Sequence, residues 1–484
     1  MKLRLGVLIA VVVAPALSRA EVSESSERPA EQMDFMNFFA KRGLHDLTDE
    51  RWNVYGQSTF ISSWKAPFFA KYTNLNGSNS SLLPDFEYSF TWTFTLFAGV
   101  KLWPGAEVYF VPEVVSEQPL SGLKGLGGAI QNFELQKSGS TVPTVYRSRL
   151  YLQQRFDLGG KTIDKTSDPM QLAGKVKSRR LVLRAGNFSV IDFFDKNTYA
   201  GDLRQTFFNM QFLTYAAYDF VADARGYSWG AMAELQWDDL AIRVGRLAPP
   251  LVPNSLALTF DYFKYYGDQA EIEWDWKIGK EHPGAVRLLA YRNVENMGRF
   301  DDAIAAYQQN PAKNAAACGT FYNYGSTNAG APDLCWVRHA NQKVGVGLNL
   351  EQTIAKDVGV FFRGMISDGH TEVYSFGPTD RSFSIGATAK GNLWKRPNDI
   401  AGIGFGMGFI SDDHAAYLRR GGVDGFIGDG TIDVAPESVI EAFYSFNVYG
   451  PLWISADYQH ITNPAFNADR GPVDIFGARA HVEF

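Results

Sequence analysis

The sequence has little of what marks several common protein classes. Of its 484 residues only 2 are cysteine, and its 7 histidines are scattered without a pair at metal-ligand spacing. Beyond residue 20, no stretch of eighteen or more apolar residues occurs, which excludes a spanning helix there. The formal net charge is −6, whereas nucleic-acid binding needs a basic surface. We therefore expect no metal, no cofactor and no nucleic-acid partner.

The start of the chain has the pattern of an export signal. Lys2 and Arg4 precede an apolar run, and small residues surround a predicted cleavage site at its end. The sequence therefore predicts a cleavable signal peptide over 1–20. A periplasmic N-terminal segment is predicted over 21–50, in which the phenylalanine-rich stretch 35–42 indicates a short amphipathic helix.

Apolar and polar residues alternate along most of the chain after residue 50. Between Tyr88 and Trp103, large apolar side chains take one parity while Ser, Thr and Gly take most of the other. Because a β-strand points successive side chains to opposite faces, this segment predicts a strand with one apolar face. Membrane barrels need about ten residues per strand, and aromatic residues, 14% of this chain, are typical of their lipid–water boundaries. About sixteen segments show the alternation, namely 52–61, 88–103, 105–113, 145–157, 179–187, 228–237, 240–246, 268–278, 285–293, 344–352, 358–367, 382–393, 400–410, 438–448, 452–461 and 473–484.

The connections between these segments alternate in length. Counting back from the C-terminus, short connections separate the long ones at 462–472, 411–437 and 368–381. Outer-membrane barrels have short periplasmic turns and longer outer loops. The predicted fold class is therefore all-β, a transmembrane antiparallel β-barrel of about 16 strands over 51–484 in the bacterial outer membrane. The connection 159–177 is long on the predicted periplasmic side, and the sequence leaves open whether it is a loop or contains further structure.

The last segment ends on Phe484, with Val482 and Phe476 on the same parity. A terminal strand of this kind resembles the signature by which outer-membrane proteins are handed to their assembly machinery. We therefore expect that machinery as a partner, together with outer-membrane lipid.

Charged side chains of both signs fall on the parity predicted to face a water-filled lumen. Two interpretations remain open. In the first, the charges serve only to keep the lumen polar. In the second, they form an eyelet in which arginine and carboxylate groups exchange hydrogen bonds with sugar hydroxyls and tyrosine faces stack on sugar rings. A ring of one sign would instead select ions. The candidate pore-lining and sugar-contacting residues on the predicted strands are Glu107, Tyr109, Glu113, Arg147, Arg149, Arg184 and Glu234, with Tyr151, Arg155, Arg243, Glu271, Glu273 and Arg287 on the same predicted face.

The connection 188–227 starts on the predicted outer side and is rich in Phe, Tyr, Asp and Asn. So many aromatic side chains are unfavourable in water. We predict that this connection folds back into the barrel and narrows the pore, the alternative being a flat extracellular lid. The polar residues that complete the candidate site are Asp192, Asp195, Asn197, Asp202 and Arg204.

Gly402, Gly404, Gly406 and Gly408 alternate with apolar residues and face the predicted lumen. A nucleotide-binding loop would need a helix directly after them, and no helix pattern follows. Glycines on one face of a strand instead allow another segment to approach closely.

Several distinctive motifs follow one another along the chain, at 102–109, 189–204, 222–227, 287–291, 349–352 and 458–464. In this order they resemble the motifs of the carbohydrate-selective porins, the OprB family. The resemblance extends from about Trp52 to Phe484 and departs mainly in the outer loops. It implies a monomeric or trimeric outer-membrane barrel that passes glucose-like sugars.

The expected function is passive, selective diffusion of glucose-like monosaccharides and small oligosaccharides through a water-filled lumen. The alternative is a general porin or one selective for anions or acidic polysaccharides, which would need an excess of arginine and lysine in the lumen. An outer-membrane hydrolase would need a nucleophile and a base on neighbouring strands, and no such Ser–His pair is evident. We therefore expect no enzyme activity.

Cys318 and Cys335 lie in one long predicted outer connection, 301–343. Passage through the oxidising periplasm should pair them. The sequence predicts a disulfide that organises an outer loop, not a metal or redox site.

Overall fold

The structure, a computed structural model, describes residues 35–135, 139–279, 281–318 and 326–484. The predicted signal peptide and the beginning of the predicted periplasmic segment lie outside the described residues. Among the described helices, none is both long and apolar enough to cross a membrane.

Antiparallel strands form one closed barrel, in which each strand pairs with its neighbours in sequence and β1 pairs with β16. The closing register runs from Gln57 opposite Glu483 to Lys65 opposite Ile475. The predicted 16-stranded barrel is confirmed, and each predicted segment corresponds to one strand. The bounds are β1 Trp52–Lys65, β2 Glu87–Trp103, β3 Ala106–Gln118, β4 Thr144–Lys165, β5 Gly174–Phe188, β6 Ser228–Trp237, β7 Leu240–Leu247, β8 Tyr266–Ile278, β9 His282–Met297, β10 His339–Ala355, β11 Val358–Ser367, β12 Arg381–Lys390, β13 Ile400–Phe409, β14 Glu437–Tyr449, β15 Leu452–Thr462 and β16 Val473–Glu483.

Short helices occur only between or before these strands in the described part of the chain. Their α-helical bounds are α1 Phe35–Ala40, α2 Met210–Leu213, α3 Phe300–Gln309 and α4 Asp412–Arg419. The helix predicted within 35–42 is present as α1.

The two faces of the wall follow the alternation of the sequence. On β8, Ile272 points outward and is 49% exposed, whereas its neighbour Glu271 points inward and is buried. On β9, Leu288 is outward and exposed while Leu289 is inward and buried. The outward face is apolar because it meets lipid, and the inward face carries most of the polar groups.

The long connection 159–177 contains further structure. Strands β4 and β5 continue past the predicted ends and remain paired as far as Lys165 opposite Gly174. The turn that joins them packs against the N-terminal segment, where Glu50 accepts hydrogen bonds from Ser167 Oγ at 2.6 Å and from the Ala173 backbone at 2.7 Å. The extra length therefore builds a cover at the end of the barrel that carries the short turns.

At the opposite end, long loops pack into an apolar layer. Phe300 of α3 stacks on His414 of α4 with ring centroids 4.4 Å apart. Buried Leu334, from the same connection as α3, and buried Phe466, from the loop after β15, belong to the same cluster. The outer end is thus an ordered rim from which some segments descend into the lumen.

Candidate pore constriction

The connection between β5 and β6 turns back into the barrel. We call residues 189–227 the inward loop. Every residue from 206 to 222 is buried. Its polar groups meet side chains that face the lumen from the opposite walls, so the predicted fold-back is confirmed and the loop is not a lid.

Lumen-facing side chains of distant strands fix this inward loop. On β11, Arg363 Nε lies 3.0 Å from Asp195 Oδ1, and both side chains are buried. On β14, Glu441 accepts the backbone N–H of Phe208 at 2.5 Å. On β16, Arg479 donates to two backbone carbonyls of the loop at 2.5 and 2.8 Å. The loop therefore spans the interior and is held at several points around the wall.

Glycines of β13 make room for this loop. A Cβ atom at Gly404 would lie 2.6 Å from the ring of Phe212, and one at Gly406 would lie 3.0 Å from the Gln211 side chain. Both partners belong to α2. The predicted role of these glycines, close approach of another segment, is confirmed.

Two further outer loops meet the inward loop inside the barrel. In the loop after β3, the backbone N–H groups of Gly127 and Ala129 donate to Glu437 of β14 at 2.9 and 2.8 Å. In the loop after β11, the backbone N–H of Phe376 donates to Asp219 of the inward loop at 3.1 Å. Three chain segments thus narrow the same region of the lumen.

Between these segments lies a cavity of about 200 Å³, and its lining contains both charged and aromatic side chains. There Arg149 donates two hydrogen bonds of 2.7 Å to Asp192, and Arg204 Nη2 lies 2.6 Å from Glu134 Oε1. Ion pairs of this geometry offer both donors and acceptors to a polar solute.

Three phenylalanines also line the cavity. Phe220 stacks on Phe376 with centroids 4.1 Å apart and an interplanar angle of 17°. Phe133 stacks on the same Phe376 at 6.0 Å and 19°. Phe220 and Phe376 are buried, whereas Phe133 is partly exposed. Of the three rings, Phe133 is therefore the one that a solute in the cavity meets most directly.

Electrostatic effects in these loops tune two carboxylates. Burial opposes ionisation of Asp192, but the adjacent Arg149 guanidinium more than compensates and lowers the pKa of Asp192. At the end of the inward loop, burial raises the pKa of Asp223 to about 6, although backbone N–H groups of Tyr227 and Arg225 donate to it. Asp192 is thus a permanent charge of the constriction, whereas Asp223 titrates near neutral pH.

The structure gathers five of the predicted site residues around the cavity. These are Glu113, Arg149, Asp192, Asp202 and Arg204. Asp195 and Asn197 are buried anchors of the inward loop, since Asn197 donates to Asn349 at 2.8 Å and Asp195 pairs with Arg363.

Another group of predicted residues forms a belt of ion pairs along the inner wall. Arg243 of β7 bridges Glu234 at 3.0 Å and Glu271 at 2.8 Å. Glu234 also pairs with Arg184 at 3.4 Å. Further links of the belt join Arg287 to Glu273 and Glu351, and Arg155 to Glu107. These charges neutralise one another on the wall, and the belt lies outside the cavity lining.

Two predicted pore residues are placed differently from the expectation. A β-bulge shifts the register between β3 and β4 so that Val111 faces Arg149 and Pro112 faces Arg147. Arg147 therefore points to the outer side, where its guanidinium lies 5.0 Å from the ring of Trp229. The prediction that Arg147 lines the lumen was wrong because strict alternation does not anticipate a bulge.

Tyr109 faces inward as predicted but does not contact the passage. It is 1% exposed, its hydroxyl donates to Glu107 at 2.6 Å, and it accepts the backbone N–H of Leu172 at 3.2 Å. Tyr151, 5.3 Å from it, is equally buried. The turn after β4 covers Tyr109, and the rings of Phe188 and Phe193 pack edge-on against Tyr151. The expectation that the two tyrosines form an aromatic face for sugars was therefore wrong.

Several lining residues were missed from the sequence. Phe133 and Glu134 lie in the loop after β3, and Phe376 lies in the loop after β11. Loops lack a periodic pattern, so no sequence signal pointed to these three. Arg225 and Tyr227 also line the cavity, and their motif 222–227 was available as a family-like signal.

The cysteines lie far from this constriction, in the outer rim. Cys318 and Cys335 are joined as a disulfide with a Cα–Cα distance of 6.6 Å. Among the described residues, the one group of His, Cys, Asp or Glu side chains with converging ligand atoms consists of these two cysteines and Asp333. Since both sulfurs are in the disulfide, this group offers no thiolate to a metal.

Comparisons with known proteins agree with the geometry. The sequence model described as carbohydrate-selective porin, OprB family, matches residues 80–484. The high-pH structure of Pseudomonas putida OprB aligns with a TM-score of 0.64 at 16% identity, over 90% of this chain and 94% of that chain. The low-pH structure of the same protein aligns with a TM-score of 0.49 at 13% identity, over 95% of this chain and 100% of that chain. The outer-membrane channel DcaP of Acinetobacter baumannii aligns with a TM-score of 0.47 at 9% identity, over 90% of this chain and 97% of that chain. No curated protein matches the chain.

Proposed function

Because the chain belongs to the OprB family of carbohydrate-selective porins, we propose that its constriction passes neutral, glucose-like sugars one at a time. Membership places the protein in the outer membrane as a carbohydrate porin. We further propose that the solute undergoes no catalytic step. The observation that carries the proposal is the cavity lined by both ion pairs and phenylalanine rings.

The chemistry of a pyranose fits both the aromatic and the charged residues of the lining. Its C–H face packs on an aromatic ring, and its hydroxyls donate to carboxylates and accept from guanidinium groups. In the constriction, Asp192 and Glu134 would accept, while Arg149 and Arg204 would donate. Each arginine already has a carboxylate partner, so the charges balance and a neutral solute leaves no uncompensated charge behind.

Passive selectivity also requires weak binding. A sugar exchanges its hydrogen bonds to water for hydrogen bonds to these ion pairs, so the net gain for each bond is only about 1 kcal/mol. Residence is therefore short, and diffusion continues in the direction of the gradient. No described group is required to react with the solute.

Liposome swelling tests the proposal. Vesicles containing the protein are challenged with glucose, a disaccharide, and glucuronate as an acidic sugar of similar size. We expect glucose to enter faster than both. Preferential entry of glucuronate, or strong anion selectivity in planar bilayers under a salt gradient, would support the alternative of an anion-selective porin.

Two arginines of β4 provide a matched pair of variants. Arg149→Gln changes the cavity, whereas Arg147→Gln changes a side chain on the outer face of the same strand. We expect slower glucose uptake relative to a small ion in Arg149→Gln only. Equal glucose uptake by the two variants would show that the Arg149–Asp192 ion pair does not contribute to sugar passage.

We propose that the strand ending at Phe484 engages the outer-membrane assembly machinery and that residues 1–20 are removed on export. Whether the barrel is a monomer or a homotrimer is decided by light scattering of the purified protein.

A further inference from the structure

A groove crosses the lipid-facing side of the barrel wall on strands β4 to β9. Its volume is about 950 Å³. Small side chains form its floor. The wall is therefore recessed here, whereas larger apolar side chains cover the surrounding parts of the outer face. The floor residues are Ala185, Ala231, Ala233, Ala270 and Ala290.

A row of charges closes the outer end of this groove. Arg246, Asp268 and Arg292 stand directly opposite one another on three adjacent strands. Arg246 makes a two-pronged ion pair with Asp268, at 2.6 and 2.8 Å. Both guanidinium groups lie beside the ring of Tyr266, Arg246 at 3.9 Å and Arg292 at 5.6 Å. With two cations and one anion, the row has an excess positive charge.

The position of this row along the strands matters. Arg246 is the residue before the last of β7, and Tyr266 is the first of β8. An arginine on the lipid face of a barrel costs about 2–4 kcal/mol at mid-membrane but little near the boundary. The row therefore lies at headgroup depth, where an anionic lipid group can compensate its excess charge.

The adjoining loop between β7 and β8 supports this placement. It exposes Phe260 and Phe263, the latter 95% exposed, and the carbonyl of Tyr262 accepts a hydrogen bond from Arg246 at 3.3 Å. Aromatic side chains in this position are typical of the boundary between lipid and water. The loop and the charge row thus mark the level at which headgroups meet the groove.

We propose that this groove binds a phosphate-bearing lipid of the outer leaflet. The phosphate contacts Arg292 and Arg246, and an acyl chain fills the alanine-floored recess below them. The excess positive charge of the row complements a lipid phosphate, whereas in a two-fold contact between copies of the chain the row would meet a like-charged row. The site lies on the opposite face of the wall from the constriction and does not depend on the proposed sugar pathway.

Lipid titration with native mass spectrometry tests the proposal. The probes are lipid A and its dephosphorylated counterpart, added to the purified protein in detergent. Arg292→Gln removes the excess charge and leaves the Arg246–Asp268 pair in place. We expect this variant to bind lipid A about tenfold more weakly, as for loss of one charge-assisted hydrogen bond. Wild-type protein should bind the dephosphorylated lipid equally weakly, and inorganic phosphate at millimolar concentration should not compete.

Two more variants separate the site from general lipid contact. Ala270→Phe fills the recess and should weaken binding of both lipids. Arg179→Gln is the matched control, because Arg179 is also outward-facing, 2.8 Å from Asp238 and 4.9 Å from the Trp237 ring, but lies at the other end of the wall. It should bind as the wild type does.

Equal lipid A affinity of Arg292→Gln and Arg179→Gln would overturn the proposal. It would also be overturned if the wild type bound no lipid and Ala270→Phe changed the oligomeric mass, since the groove would then be a contact between copies. Heat-modifiable migration on gels verifies that each variant is a folded barrel.

Discussion

Arg363 on β11 and Asp195 on the inward loop form an ion pair across the lumen, with Nε 3.0 Å from Oδ1 and both side chains almost fully buried. The same guanidinium donates to the Asp195 carbonyl at 3.1 Å and to the carbonyls of Ala200 and Phe212 at 2.6 Å each. One side chain therefore satisfies three backbone acceptors of a loop that has no sheet partners. This arrangement keeps the loop inside the barrel.

Removing the carboxylate of this pair should release the inward loop. In Asp195→Ala, Arg363 stays buried without its partner, which costs about 3–5 kcal/mol locally. We expect larger and noisier single-channel conductance from a barrel that still inserts.

The matched control for this prediction is Lys71→Ala, which breaks an ion pair whose lysine is 66% exposed. This substitution should lower the free energy of unfolding by less than about 1 kcal/mol and leave the conductance unchanged. An Asp195→Ala channel with wild-type conductance would show that the other anchors suffice.

The phenylalanines that line the cavity give a second prediction. Phe133→Ala removes the end of the stack on Phe376 and should both widen the passage and weaken discrimination among sugars. Phe133→Leu keeps an apolar side chain without a ring, so it separates the two effects. We expect Phe133→Leu to lose sugar discrimination in swelling assays with little change in ion conductance. Retained discrimination in that variant would mean that bulk, not a ring face, is what matters.

The sequence predicted the barrel well because membrane strands obey one strong rule. Each residue of a spanning strand meets either lipid or lumen, so period-two alternation marked the segments that became β1 to β16. Gly404 and Gly406 were informative for the same reason. Glycines on the inner face leave space beside the strand, and another segment of the chain has to fill it. The rule failed at Arg147. One extra residue at the β-bulge between Arg147 and Arg149 changed which side of the wall Arg147 faces.

The constriction was only partly predictable. Arg149 and Asp192 come from a regular strand and a recognisable motif, whereas Phe133 and Phe376 come from loops whose position depends on distant contacts. Tyr109 illustrates the opposite error, because its parity was right but a turn 63 residues later in the chain covers it. Side-chain direction follows from local sequence; access to the passage depends on tertiary packing.

The raised pKa of Asp223 predicts a pH effect at the constriction. Burial raises this pKa from the model-peptide value near 4 to about 6, so the folded turn binds a proton more readily than the unfolded turn. Its stability therefore falls as pH rises from about 4 to 6 and is constant above that. Because the Asp223 turn presents Arg225 and Tyr227 to the cavity, we expect less open-channel noise at pH 5 than at pH 7. Asp223→Asn should lose this dependence; a variant as pH-sensitive as the wild type would assign the effect to another group.

The disulfide between Cys318 and Cys335 should be a local staple of the outer rim. Closing a loop of this length contributes roughly 3 kcal/mol in the chain-entropy model. Other bonds already join the same two segments, since Ala315 donates to the Ala331 carbonyl at 3.0 Å and the Trp336 indole donates to the Asn314 carbonyl at 3.2 Å. Loss of the disulfide should therefore loosen the loop without unfolding the barrel.

Protease treatment of intact cells measures that loosening. We expect protein purified from outer membranes to contain no free thiol by mass spectrometry. The double variant Cys318→Ser/Cys335→Ser should insert and conduct like the wild type, while its 301–343 loop is cut faster. Because the described part of this loop packs mainly on α4, we expect barrel assembly not to require the bond. A double variant that fails to assemble would show that the rim must form before the barrel closes.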